Sequence, residues 1–260
     1  MIMNFYIRNF LTPIFLFLLF LILFLLNSCS TKDKPDPYLN WPADKIYAKG
    51  HHYLQKNDYN DAITAYESLN SQYPFSLPSK NGDLELIYAY YLSGDSALAL
   101  ASSARYLKLY PTDTHADYAY YMAGVIEFNN GRGFLEKYLP YAMDQHQSDN
   151  YQSAFNNFNQ VITLFPQSIY AEDCRRRMMY LNNSMADHDL DIAQYYFNQK
   201  AYLASALRAQ SVISQYPATP ASLLAMKLLV NSYQAMQLNN LANNADQYYQ
   251  ANLNSNLNKK

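Results

Sequence analysis

Cysteine is nearly absent from this 260-residue chain: there are two, Cys29 and Cys174, and tryptophan occurs once, as Trp41. With so few thiols no cysteine pair can join a histidine in a metal site. The five histidines, His51, His52, His115, His146 and His188, also lack the helical spacing of metal ligands. No nucleophile, base and acid recur in a catalytic pattern. The nearest ligand cluster, Asp187-His188-Asp189-Leu190-Asp191, falls where one helix is expected to give way to the next, and acidic residues at a helix start need no metal to explain them. Basic runs are missing too. Lys and Arg number 19 against 21 Asp and Glu, a net charge of -2, which disfavours nucleic acid as a partner. Arg175-Arg176-Arg177 points in three helical directions and cannot form one basic row. Gly131-Arg132-Gly133 follows no strand and precedes no Gly-Lys-Ser/Thr, so it reads as a turn and not a phosphate cradle.

Aromatic and uncharged polar residues fill the space. Charged residues make up 15% and aromatics 16%, with 27 tyrosines, which suits stacked helices and peptide-binding surfaces because the ring packs while the hydroxyl stays wet. The N-terminus is different in kind. Arg8 precedes a run over residues 10–26 that is apolar except for Thr12 and Pro13, and the chain continues Leu26-Asn27-Ser28-Cys29. A cationic start, an apolar core and small residues are the marks of an export signal over residues 1–28. The tetrapeptide resembles the lipobox of bacterial lipoproteins, in which the cysteine carries diacylglyceryl and N-acyl chains. A single-span anchor is the alternative, the run lying at the lower limit of about 17 residues. No other cofactor is expected. Ser30 after the cysteine, by resemblance to enterobacterial lipoproteins, favours the outer membrane over the inner. Residues 29–43, with three prolines and no apolar period, read as an extended tether. Trp41 is expected to dock on the first hairpin, and Cys174 to be a small buried helix residue.

Residues 46–75 form a template that returns downstream. Ile46, Tyr47, Gly50, Tyr53 and Leu54 share one helical face. A second helix follows Asp58, an expected N-cap with Asp61 in the capping-box position, and buries Ala62, Ile63, Tyr66 and Leu69 before Pro74. The pattern fits the tetratricopeptide (TPR) hairpin of about 34 residues, with Gly50 and Ala62 at the small positions where two helices cross. A loop over residues 76–82 is expected next. After it come a helix over 84–92, a stop at Gly94 and a helix over 96–110, with Ala99 at the small position. In a third unit Thr114 is expected to cap a helix through Phe128, with Gly124 and Ala154 at the small positions. The distance between those two exceeds that between Gly50 and Ala62 by about 18 residues. That predicts an insertion near 131–149, a long surface excursion that takes in Asn129-Asn130 at its start. Before the fourth unit, spare length predicts an extra helix capped by Ser168 and ending near Met185. Ser205 takes the small position of that unit, and Thr219-Pro220 opens the fifth. The expected fold is all-α: a TPR-like superhelix of five helix pairs plus one extra helix. Pairs 1–3 occupy 44–166, the extra helix and pairs 4–5 occupy 167–254, and 255–260 form a frayed tail.

The order of these features, with Ile46-Tyr47-Ala48, Asp61-Ala62-Ile63-Thr64, Gln72-Tyr73-Pro74-Phe75 and above all Leu86-Ile87-Tyr88-Ala89-Tyr90-Tyr91, resembles the BamD (ComL) family of lipoproteins across nearly the whole mature chain. That resemblance implies a non-enzymatic subunit of the outer-membrane β-barrel assembly (BAM) machinery, lipid-anchored and facing the periplasm. It implies docking of the C-terminal pairs on the last POTRA domain of BamA. The N-terminal pairs would contact BamC, where present, and the β-signals of unfolded barrel proteins. Arg208 matches the family's arginine that pairs with a BamA carboxylate. Tyr73 and Phe75 match its substrate-contacting rim, with closure of the hairpin by aromatic packing as the alternative. Asn60 replaces a frequent basic residue and Ser76 a turn glycine, which sets this rim apart. A TPR pilotin assisting a pilus secretin is the competing function. Loss of a barrel-assembly subunit lowers many outer-membrane proteins, and loss of a pilotin only its secretin.

Overall fold

The computed structural model describes residues 35–131 and 145–257; the lipidation expected at Cys29, the Arg132-Gly133 part of the expected turn and residues 258–260 lie outside them. Two units separate, Met1–Leu39 and Asn40–Lys260. Of the first, residues 35–39 include a turn in which the Tyr38 N–H donates to Asp36 Oδ1 at 2.9 Å. The second consists, among the described residues, of ten helices: α1 (Ala43–Gln55), α2 (Tyr59–Gln72), α3 (Leu77–Ser93), α4 (Ser96–Leu109), α5 (Ala116–Gly131), α6 (Gln145–Leu164), α7 (Ala171–Asn198), α8 (Tyr202–Gln215), α9 (Pro220–Ala235) and α10 (Asn239–Leu257). They pair in sequence as five antiparallel hairpins. First helices also touch across hairpins, α1 on α3, α3 on α5 and α7 on α9, so the TPR-like all-α fold is observed.

The repeat is built by an interlock between a glycine and an aromatic ring. A Cβ on Gly50 would lie 2.6 Å from Tyr66 Cε1, and one on Gly124 would lie 2.6 Å from Phe158 Cε1. Tyr66 and Phe158 are fully buried, as are Ala62, Ala99, Ala154 and Ser205 at the other small positions. The second hairpin exchanges the volumes: Ile87 stands where the glycine would be and Ser103 where the ring would be, both at 0% exposure. Conserving volume in this way keeps interior density without strain. At Ser205 the hydroxyl accepts from Ser232 Oγ at 3.1 Å, so burial leaves that polar pair satisfied.

Several elements differ from the sequence expectation. Residues 76–82 are not a loop. Ser76 caps α3, its hydroxyl accepting from the Ser79 N–H at 3.2 Å, and Pro78 sits in the first turn, where no intrahelical N–H is needed. Asp58 and Asp61 form no capping box, for the Asp58 side chain accepts no cap hydrogen bond; Asp95 does cap α4, through the Leu98 N–H at 3.2 Å. Thr114 precedes a further turn, and α5 begins at Ala116. Asn129, Asn130 and Gly131 continue that helix instead of opening the surface excursion, and residues 145–149 of the expected insertion open α6. The extra helix is no separate element. α7 runs without a break for 28 residues, and Ser168 lies before it, its hydroxyl donating to Asp117 Oδ2 at 2.6 Å. No glycine or proline interrupts that span. Asp187 to Asp191 therefore sit in mid-helix and not at a helix start. Finally α10 continues to Leu257, past the expected end.

Two apolar cores meet on α7. Cys174, Leu181 and Met185 join Val125, Phe128, Tyr151 and Phe158 in one, while Ala186 and Ala193 join Val212, Ala225 and Leu228 in the other. Residues 185 and 186 thus divide the helix between two neighbourhoods.

Candidate interaction surfaces

The turn leaving the first hairpin separates the two rim residues expected to act together. Tyr73 ends α2 and is consumed by structure. Its hydroxyl donates to the Trp41 carbonyl at 2.8 Å, and its own carbonyl accepts from Ser79 Oγ at 2.5 Å and from the Ser76 N–H at 3.1 Å. Trp41 is held against the same end of the hairpin, with Lys45 Nζ 3.8 Å from its ring centroid. Tyr73 therefore closes the hairpin. Phe75 does not: it is 83% exposed, with Leu77 beside it at 69%. An aromatic ring left in water two residues from an apolar neighbour offers anchoring area to a partner at low entropy cost.

Arg208 is exposed on α8 at the edge of the stripe that buries Ser205, Ala209 and Val212. Among the described residues it makes no ion pair or hydrogen bond. On the same helix Leu203 and Leu207, one turn apart, are 63% and 57% exposed, about 100° or more around the axis from Arg208. A planar guanidinium that makes no ion pair suits a partner carboxylate.

The remaining candidates are occupied by packing. Arg177 donates to Asp173 Oδ2 at 2.5 Å and lies 5.0 Å from the Phe128 ring centroid, while Arg176 pairs with Glu172 at 3.2 Å; both ion pairs are within one helix. Asp189 is hydrogen-bonded to the Tyr216 phenol, which burial and that carboxylate push up to about 12. Burial and the neighbouring Asp191 raise the Asp187 carboxyl. Among the described residues no three His, Cys, Asp or Glu side chains converge as a metal site. Burial pushes the Cys174 thiol up to about 11, which makes it a poor nucleophile at neutral pH. No helix of the described residues is long and apolar enough to cross a membrane.

One surface escaped the sequence reading. A cleft of about 340 Å³ opens between α3, the start of α5 and the turn before α7, lined by Leu84, Thr114, His115, Tyr118, Ile169 and Tyr170. Tyr170 stacks on Tyr121 at 4.5 Å and 15°, and packs at 5.8 Å from Tyr118, whose phenol burial holds in its protonated form. The signal was the tyrosine density of the second and third hairpins' first helices. Periodicity alone could not tell which rings would face a cleft.

Comparison with known proteins gives consistent relatives. A family model described as "YfiO: Outer membrane lipoprotein" matches residues 40–248. The chain is similar to the outer membrane protein assembly factor BamD of Vibrio cholerae serotype O1, at 33% identity over 232 residues covering 89% of this chain and 95% of that one. It is likewise similar to BamD of Pasteurella multocida, at 35% identity over 201 residues and 77% of each chain. Among solved structures, the yeast Sti1 TPR2AB domain in a pHSP90 complex has a TM-score of 0.38 and 12% identity, covering 80% of this chain and 76% of that one.

Proposed function

The chain belongs to the YfiO family of outer membrane lipoproteins, and from that membership we propose that it is a non-enzymatic assembly factor of the BAM complex which helps insert β-barrel proteins into the outer membrane. Similarity to BamD relatives over most of the chain is the observation that carries this reading. In it, Cys29 bears the lipid. Each buried methylene contributes about 0.8 kcal/mol, so two or three acyl chains hold the protein at the periplasmic face of the outer membrane almost permanently.

Within the complex, the unpaired Arg208 docks on a carboxylate of the last POTRA domain of BamA. The N-terminal hairpins meet BamC, where present, and incoming β-signals, with the exposed Phe75 ring as the substrate anchor and Tyr73 as the residue that holds the turn behind it. What supports the division of labour is the difference in engagement: Tyr73 is bonded on both sides, while Phe75 is 83% exposed. Purification of the tagged protein from detergent-solubilised envelopes is expected to bring BamA with it. Recovery of intact protein alone, under conditions that preserve the complex, overturns the reading. Arg208→Glu is expected to lower BamA recovery, and unchanged co-purification removes Arg208 from the interface.

A further inference from the structure

Three side chains of the first hairpin converge on one carboxylate of the second. Glu85 of α3 accepts a hydrogen bond from the Tyr47 hydroxyl of α1 at 2.7 Å and another from the Tyr66 hydroxyl of α2. His51 Nδ1, also of α1, lies 2.9 Å and 3.1 Å from its two oxygens. A carboxylate offers about four lone-pair positions, so these partners nearly fill it. Among the described residues, every hydrogen bond from α1 to α3 ends on Glu85.

The donors themselves cannot wander. The Tyr66 ring is wedged between helices, since Cβ atoms placed on Gly50 of α1 and Gly82 of α3 would lie 2.6 Å and 3.1 Å from it. Tyr47 stacks on His51 with centroids 6.1 Å apart, and Gln55 Nε2 meets His51 Nε2 at 2.9 Å. Burial, then the bond to Glu85, pushes the Tyr47 phenol up to about 12 and the Tyr66 phenol further, so both keep their protons as donors at any physiological pH. Charge-assisted bonds to a carboxylate are about twice as strong as neutral ones, and three of them with fixed geometry define an angle, not merely an attraction.

We infer that Glu85 is a positioning residue: it fixes the angle of the first hairpin on the second and thereby sets the rim that carries Phe75. The second half of this statement rests on the substrate role proposed above for that rim. The link is continuous in the fold, for Trp41 lies two residues before the start of α1 at Ala43 and its carbonyl holds Tyr73, two residues before Phe75.

The experiment uses the full chain in detergent with spin labels at two exposed sites, N60C in α2 and A97C in α4, and reads their distance distribution by pulsed electron resonance. Affinity is measured in parallel for a synthetic peptide copying the last strand of an outer-membrane barrel protein. Glu85→Leu is expected to broaden the distribution and weaken the peptide about fivefold, as when the competent arrangement is populated about one-fifth of the time. Glu85→Asp is expected to restore part of both. Tyr66→Phe keeps the ring in its notch, loses one bond, and is expected to fall between; it decides the matter should Glu85→Leu not fold. A distribution as narrow as the parent's in the folded variants overturns the inference. So does an affinity that ignores a broadened distribution. A parent that binds no peptide overturns the rim's substrate role instead, and the distances alone then decide whether Glu85 sets the angle.

Discussion

Gly50→Ala tests the interlock on which the repeat is built. The added methyl would meet Tyr66 Cε1 at 2.6 Å and Cζ at 2.8 Å. The ring has little room to shift: a Cβ on Gly82 of α3 would lie 3.1 Å from Cδ1 of the same edge, and the ring's hydroxyl is bonded to Glu85. Overpacking a fixed core typically costs about 1 to 3 kcal/mol. Against this, alanine is the better helix former by about 0.5 to 1 kcal/mol. The net expectation is a loss centred on about 1 kcal/mol and reaching about 2.5, which in a domain of this size lowers the melting temperature by about 2 to 4 °C for each kcal/mol. Circular dichroism at fixed protein concentration measures it. A double variant, Gly50→Ala with Tyr66→Leu, removes the ring's contact with the methyl, so the alanine should cost less there than in the parent background. A single variant that melts at or above the parent temperature refutes the interlock.

Ala62→Phe forces a ring into the crossing of α1 and α2, where the native side chain is fully buried; a loss of about 1 to 3 kcal/mol is expected, and an unchanged melting curve would sink the repeat register. Gln237 closes the last hairpin turn with φ at 61°, as Lys200 and Asn57 do in theirs, where only Gly94 is a glycine. Gln237→Gly is expected to stabilise by up to about 1 kcal/mol, read as a higher melting temperature. Burial alone would raise the Asp113 carboxyl, but the Lys80 ammonium, the His115 N–H and the Tyr106 hydroxyl together hold it well below the usual carboxylate range. A folded carboxyl that is depressed contributes stability above its unfolded pKa and loses it as pH falls toward the folded value. Stability of the parent should therefore drop below about pH 4, and Lys80→Met should show a shallower drop in the same acid titration.

The hairpins were legible because their signals are local. Gly50, Gly124 and the alanines announce close helix crossings, and Thr219-Pro220 announces a helix start by the same chemistry that Ser76 and Pro78 use. The loop expected over 76–82 contains Pro78, yet that proline sits in the first turn of α3, and Gly82 at the far end serves packing: it lets α3 approach the Tyr66 ring. The long α7 was hidden for a related reason. Its acidic residues at 187–191 mimic a helix start, but only a breaker would have stopped the helix, and none is present. At the rim, the family resemblance pairs Tyr73 with Phe75. Which ring would turn inward depended on Trp41 arriving from across the first helix, a contact no periodicity encodes. Glu85 was invisible for the same cause, since its three partners lie 38, 34 and 19 residues away.

α7 also determines where this protein can bend. A continuous helix of 28 residues is a rod about 42 Å long, and tilting one end by about 10° displaces the other by about 7 Å. Because Met185 belongs to one core and Ala186 to the next, the rod is clamped along both halves of its length. A tilt of this rod therefore moves parts of the third and fifth hairpins together, because side chains of both are packed along it.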